Sequence, residues 1–419
     1  MRHFGLFLLY TIFIVFSLSL TPSKSETCEK GDSRSQRYLL YDVNPGEGFN
    51  LRRDVYVRIA NLARRLSEAD NWVLVLPPWG RLYHWKNARH GEYYPWGSFF
   101  DIKSLSKWTP VIEFEDYIKA EGPKIQEAYM LQHYVEGWNG EWVVKYDIRP
   151  CLEQHSFRQN SDGSWQGTAW GTNIRVGNFS CLSIQGEAST LIPLITQKDE
   201  IRSILVTRAE TVLHDEYGGK RYWAARRSMR FAEHLRLEAA KFRAEFLHSD
   251  DVSDKTEVTD DWRDFKPKRG TAIGGPYLSV HLRRRDFIYA RGNEIPSLKK
   301  AAKQLKALLE AKELQDVYIA TDAPLEEFAE LKDLMEPYKV HQFDPSPEFF
   351  DRWGDGGVAI VDQIICAHAR YFTGSYESTF SFRIQEEREI MGFPVETTFN
   401  RLCGKKAECE QPAKWKIVY

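Results

Sequence analysis

Glu47 sits at the tip of the turn Asp42-Val43-Asn44-Pro45-Gly46-Glu47-Gly48-Phe49-Asn50, flanked by glycines that remove side-chain bulk. The turn joins an apolar strand, Tyr38-Leu39-Leu40-Tyr41, to an amphipathic helix carrying Leu51, Val55, Ile59, Leu62, Ala63 and Leu66. Ligands of open α/β sheets bind outside the carboxyl ends of strands, so a carboxylate placed there is positioned for acid–base work. The residues alone leave a second reading open, a structural turn with a solvated acid. A basic run, His281-Leu282-Arg283-Arg284-Arg285, follows another buried strand, Tyr277 to Val280. Alternation sends His281 and Arg283 to the same side, and a permanently charged guanidinium suits bidentate contact with phosphate. The alternative is a surface basic cluster paired with Asp286. Ser378-Thr379-Phe380-Ser381 opens a helix just after a strand and Gly374, where free N–H groups attract an anion. A plain Ser/Thr cap is the competing reading. Thr321-Asp322 and Asp362 complete the polar set. Asp362 lies in an apolar helix, where a carboxylate needs a partner: a sugar, a base edge, or an arginine such as Arg370.

The elements that must position these residues form two α/β stretches. The first comprises the Tyr38 strand, its helix to about Asp70, strands at Trp72–Pro77 and Pro110–Phe114, and one long helix from Tyr222 to Leu247. The Arg- and Glu-rich face of that helix reads as solvated surface. An Asp-rich run from Ser249 to Lys268 and a flexible Gly270–Pro276 read as a linker; an acidic calcium loop is disfavoured because its ligand pattern is missing. Strands and helices then alternate: strand 277–280, helix 297–314, strand 317–320, a helix from Pro324, strand 338–343, helix 358–369, strand 371–373 and a last helix at Ser378. This implies a parallel sheet. The expected organisation is a segment at 1–25, an N-terminal α/β domain at 26–248, a linker at 249–276 and a C-terminal α/β domain at 277–419, with a cleft between the domains.

The 419 residues, 42% hydrophobic and 28% charged, describe a globular chain, and a net charge of -2 offers no basic footprint for nucleic acid. Arg2 and His3 precede an apolar run, Phe4 to Leu20, and small residues at Ser23 and Ser25 fit cleavage before Glu26. That is the pattern of a secretory signal peptide, with an uncleaved anchor as the alternative. In that pathway the cysteines tend to pair. Cys403 with Cys409 closes a short polar loop, and Cys151 with Cys181 brackets a Gly/Ser/Asn-rich stretch of loop character. Cys366 reads as a buried thiol, and Cys28 has no obvious partner. Asn178-Phe179-Ser180 is a glycosylation sequon, expected on an exposed loop. No cysteine spacing fits structural zinc. Walker A, Gly-x-Gly-x-x-Gly, Gly-x-Ser-x-Gly and Asp-x-Asp patterns are all missing, and a site made of Arg, Ser/Thr and one Glu suggests a diphosphate handled without a metal ion, with no cofactor expected.

Taken together, Asn44 to Asn50, Val280-His281-Leu282-Arg283-Arg284 and Ser378-Thr379-Phe380-Ser381-Phe382-Arg383 resemble the thrombospondin-repeat-specific protein O-fucosyltransferases, over essentially the whole mature chain. The resemblance implies a GT-B fold of two Rossmann-like domains with the site between them. It implies inverting, metal-independent transfer of fucose from GDP-fucose to Ser or Thr of folded thrombospondin type 1 repeats in the endoplasmic reticulum lumen, without stable membrane insertion. It carries the base role to Glu47 and phosphate contact to Arg283. Gly46, Gly48, Phe49, Asn50, His281, Leu282, Asp362, Ser378, Thr379 and Phe380 fall on substrate-holding positions. Gly46 stands where relatives commonly have a second proline, which should loosen the turn. Two other functions stay open: a fucosyltransferase for EGF-like repeats, and a non-catalytic folding factor or lectin for such repeats.

Overall fold

The computed structural model describes residues 36–80, 82, 85, 93–137, 141–375, 377–405 and 415–419. The expected signal peptide, Cys28 and Cys409 lie outside the described residues. β1 (Arg37–Tyr41) is buried along its whole length, as a strand covered on both faces must be. It pairs in parallel with β2 (Trp72–Leu76), which pairs with β3 (Val111–Glu113). The same sheet continues through β4 (Lys124–Gln132), β5 (Lys145–Arg149), β6 (Arg158–Gln159), β7 (Trp165–Ala169), β8 (Thr172–Gln185) and β9 (Ser203–Thr207). Its order is β3-β2-β1-β9-β4-β8-β7-β6, with β5 paired to β8 beside that path. The second sheet contains β10 (Gly275–Leu282), β11 (Asp316–Thr321), β12 (Lys339–His341), β13 (Ala369–Gly374) and β14 (Asn400–Arg401). It is parallel throughout, in the order β12-β11-β10-β13-β14. Two sheets with covering helices are the expected α/β, GT-B-like architecture.

The helix Phe49–Ala69 buries Val55, Ile59, Leu62 and Leu66, spaced three and four apart, against the first sheet. Its first residues therefore stand at the carboxyl end of β1. In the second sheet, β10 places Leu278, Val280 and Leu282 in one core, with His281 facing the other way. Period-2 alternation thus sends Tyr277, Ser279 and His281 to the opposite face, and His281, at the carboxyl end, reaches the cleft.

Several expectations need correction. The helix from Tyr222 to Leu247 is two helices, Lys220–Ser228 and Glu233–Leu247. Phe231 interrupts it by bridging to Phe100 and stacking on that ring at 5.6 Å. Nor is its basic face solvated, since Arg226, Arg227 and Arg243 are buried. The stretch between Cys151 and Cys181 is not loop: it supplies β6, β7 and most of β8, and the Cys151–Cys181 disulfide ties its ends. Cys403 is also disulfide-bonded, and Cys366 is a buried free thiol. Asn178 is exposed but lies on β8 rather than a loop, its amide donating to Glu127 Oε1 at 3.2 Å.

Residues 36–419 form one compact unit, and its largest apolar cluster joins residues of both sheets, such as Leu39, Tyr277 and Phe372, with helix residues such as Trp223. The expected linker is packed: Asp254 and Trp262 are buried, and the Trp262 indole donates to the Ser104 carbonyl at 3.1 Å. The chain end returns to the first half, where Trp415 stacks on Tyr217 and Tyr419 faces Arg227.

Candidate active site

A cavity of about 510 Å³ opens where the carboxyl ends of β1 and β10 face each other. Gly46, Glu47, Gly48, Phe49 and Asn50 line it from the first half. His281, Arg283, Asp362, Ser378, Thr379 and Phe380 line it from the second. Every sequence-derived site residue is thereby brought together except Leu282. That side chain is fully buried in the core beneath the second sheet, because it alternates with its two neighbours.

The turn carrying Glu47 is held from beneath. Phe49 is buried among Trp79, Trp85, Phe99 and Phe100, with ring centroids 4.9–6.2 Å away. Arg52 donates to the Glu47 carbonyl at 3.1 Å, and the Glu47 amide closes onto the Asn44 carbonyl at 2.9 Å. A Cβ added at Gly46 would meet nothing within 4 Å, so that glycine leaves open space rather than filling a packing need. Partial burial raises the pKa of the Glu47 carboxyl, Glu210 adds to the rise, and Arg52 and Arg58 oppose it. A carboxylate made more basic is better suited to accept a proton. Asn50 faces the other half: its Oδ1 accepts from Gln363 Nε2 at 2.8 Å and Arg53 at 3.3 Å. Arg53 also donates to Gln363 Oε1 at 2.7 Å, a buried knot between the two halves.

On the opposite wall, His281 is buried, stacks on Phe380 at 4.3 Å, and meets Ser381 Oγ through Nδ1 at 2.9 Å. Burial and the neighbouring Arg283 charge hold its pKa down near about 3, so the imidazole is neutral. Arg283 is not a loose surface cation. Its guanidinium pairs with Asp286 at 2.5 Å and Asp322 at 2.8 Å and lies over the Phe287 ring. Its backbone N–H donates to Ser375 Oγ at 2.7 Å. Asp362 is not partnered by Arg370, which instead donates to the Gly274 carbonyl. It accepts from the Tyr318 hydroxyl, and burial raises it to about 7. Ser378 precedes the helix Thr379–Met391 without capping it by its side chain, so the hydroxyl is not consumed by the helix end.

Sequence reasoning passed over Arg53, Gln363, Tyr318, Trp85 and Ser375. Gln363 carried a usable signal, a second polar residue beside Asp362 in an apolar helix. The others become visible only when the sheets are assembled. No group of three or more His, Cys, Asp or Glu that could hold a metal occurs among the described residues.

A neutral imidazole, a phosphate-suited arginine and a helix start on one wall, with a raised carboxylate on the other, suit transfer from an anionic leaving group. The family described as GDP-fucose protein O-fucosyltransferase matches residues 38–391. The chain belongs to the GDP-fucose protein O-fucosyltransferase family. It is 51% identical over 394 residues to GDP-fucose protein O-fucosyltransferase 2 of Homo sapiens, covering 93% of this chain and 91% of that protein. It is 48% identical to the Caenorhabditis elegans protein of the same name, covering both in full. Among solved structures it is similar to POFUT1 in complex with GDP, with a TM-score of 0.58 at 16% identity over 88% of this chain and 98% of that one. As a member of the GDP-fucose protein O-fucosyltransferase family the chain is a fucosyltransferase, with GDP-fucose as its donor.

Proposed function

We propose that this enzyme fucosylates Ser or Thr of folded thrombospondin type 1 repeats in the endoplasmic reticulum lumen, by a single inverting displacement. The observation that carries the reading is Glu47 facing Arg283 and the Ser378 helix start across one cavity. The acceptor hydroxyl gives its proton to Glu47 as its oxygen attacks the anomeric carbon. The bond to the β-phosphate breaks on the opposite face. Arg283 and the first N–H groups of the helix Thr379–Met391 take up the charge that grows on departing GDP, in the role a metal fills elsewhere. One displacement turns a β-linked donor into an α-fucoside, and no second carboxylate is needed as nucleophile. His281, Asp362 and Phe380 hold the nucleotide, and Gly48 and Asn50 border the sugar. The apolar leader before Glu26 supports entry into the secretory pathway. Among the described residues no helix is long and apolar enough to cross a membrane.

The test offers labelled GDP-fucose with folded thrombospondin and EGF-like repeats to the wild type, Glu47→Gln and Arg283→Ala. Wild-type transfer to the thrombospondin repeat, turnover lost in Glu47→Gln with GDP binding kept, and lost donor binding in Arg283→Ala are expected. Equal turnover in Glu47→Gln would remove it as base. Preference for the EGF-like repeat would overturn the acceptor assignment, and repeat binding without GDP binding would favour a folding factor. The anomeric configuration of the product, read by NMR, decides between inversion and retention.

A further inference from the structure

A second cavity, of about 120 Å³, lies away from the nucleotide cleft. That volume is several times the ~10–15 Å³ one ordered water requires. Five arginines line it, Arg226, Arg227, Arg230, Arg236 and Arg243, against two carboxylates, Asp251 and Glu387. The carboxylates are already taken: Glu387 pairs with Arg226 at 2.9 Å and Asp251 with Arg243 at 2.6 Å. Arg227, Arg230 and Arg236 have no carboxylate partner among the described residues. Arg227 donates to the carbonyls of Trp262 and Phe265, Arg230 to those of Thr259 and Asp260, and Arg236 to that of Phe231. Carbonyl dipoles satisfy donors but supply no formal counter-charge. Burial, then repulsion by Arg236, lowers the pKa of Arg230, and the more distant charges of Glu387, Asp101 and Asp260 only partly oppose it.

Two further donors lack a partner. Nε of Arg227 and Nε of Arg243 are buried without a hydrogen bond, on residues only 6% and 2% exposed. Leaving a charged donor buried and unpaired is costly, and the apolar walls around Trp262, Ile364 and Ile390 make it more so. The remaining titratable wall group, His368, is held neutral near about 3 by burial and Arg243, and its Nδ1 faces the Ile364 carbonyl. It supplies no compensating negative charge.

We infer that this cavity is a binding site for a small tetrahedral oxyanion of the phosphate or sulfate class, distinct from the nucleotide cleft. Its walls come from the helix Lys220–Ser228, the helix Glu233–Leu247, the 251–265 segment and the helices Pro347–Ala367 and Thr379–Met391. A bound oxyanion therefore bridges both halves and acts as a stabilising ligand, by mass action on the folded state.

The test is a titration of the enzyme as the full chain, saturated with GDP, with sodium sulfate and separately sodium phosphate, at ionic strength held constant with gluconate. The apparent Tm should rise saturably, and calorimetry should give a matching affinity. Arg236→Ala and Arg230→Gln should each weaken that affinity about tenfold or more, the effect of losing a hydrogen bond to a charged group. Arg283→Ala, without GDP, should keep the response. A linear or absent rise in the wild type overturns the inference, as does an unchanged midpoint in both cavity variants. Loss of the response only in Arg283→Ala also overturns it, because the anion then sits in the nucleotide cleft. If Arg236→Ala does not fold, Arg230→Gln decides alone. Sulfate responding and phosphate not, or the reverse, identifies the preferred anion.

Discussion

Glu386→Gln should damage this enzyme although Glu386 does not line the active-site cavity. Glu386 is fully buried and takes a 2.5 Å ion pair from Arg226, a 3.1 Å ion pair from Arg383 and a 2.6 Å hydrogen bond from the Tyr222 hydroxyl. These partners come from the helix Lys220–Ser228 of the first half and the helix Thr379–Met391 of the second. Removing one charge of a buried pair costs about 3–5 kcal/mol, because the other charge is stranded. Arg226 keeps Glu387 at 2.9 Å and Arg383 keeps Asp54 at 3.5 Å, which places the loss at the low end, ~3 kcal/mol. At about 2.1 cal/mol/K of unfolding entropy per residue, a chain of this size shifts by roughly 1.2 °C per kcal/mol, so the apparent Tm should fall by about 3–4 °C. Differential scanning calorimetry reads the shift. The double variant Arg226→Met, Glu386→Leu should recover part of it, since apolar replacement of a buried pair is often neutral. A Glu386→Gln enzyme melting within about 2 °C of the wild type would refute the argument.

Gly374→Ala should weaken GDP binding. A Cβ there would lie 2.5 Å from Ser381 Oγ, the atom that holds His281; calorimetric titration with GDP checks it, and unchanged affinity counts against His281 as a nucleotide contact. The His281 ring should show no NMR titration between pH 5 and 8, because burial holds its pKa near about 3; a midpoint near the usual histidine value would contradict the buried, neutral assignment. Asp362, raised to about 7, should make stability pH-dependent. A carboxyl whose folded pKa exceeds its unfolded value costs nothing while protonated, and its penalty grows from about pH 4 to about pH 7. Wild-type stability should therefore decline across that window relative to Asp362→Asn, and then run parallel above it. Parallel curves throughout would show that the Asp362 carboxyl is not raised.

The site was legible in sequence because its chemistry sits at strand ends. Glu47, Arg283 and Ser378 each follow an apolar strand, and the sheet rule places such residues on one edge. Phe49 and His281 were legible as members of the same motifs. Leu282 misled because motif membership was read as contact, although its alternation with His281 turns it to the core. The strands of the antiparallel extension were lost for a different reason. β7 and β8 alternate exposed polar with buried residues, and their Gly, Ser and Asn content imitates loop. The buried arginines were misread as solvated because their carbonyl and carboxylate partners, such as Phe265 and Glu386, lie tens to hundreds of residues away. Only Asp362, a charge in an apolar helix, announced that kind of long-range partner, and it was Tyr318 rather than an arginine.

The pairing of Arg283 with Asp286 and Asp322 bears on how the enzyme turns over. A diphosphate that engages this guanidinium exchanges one set of anionic partners for another, so the local positive charge is never created or destroyed. The distant pull on the donor is thereby muted, and its binding should depend less on salt than an exposed arginine would dictate. The same two carboxylates remain within reach when GDP carries its charge away. Departure of the nucleotide then becomes a replacement rather than a separation of opposite charges, and a site built to grip a leaving group is spared from holding it.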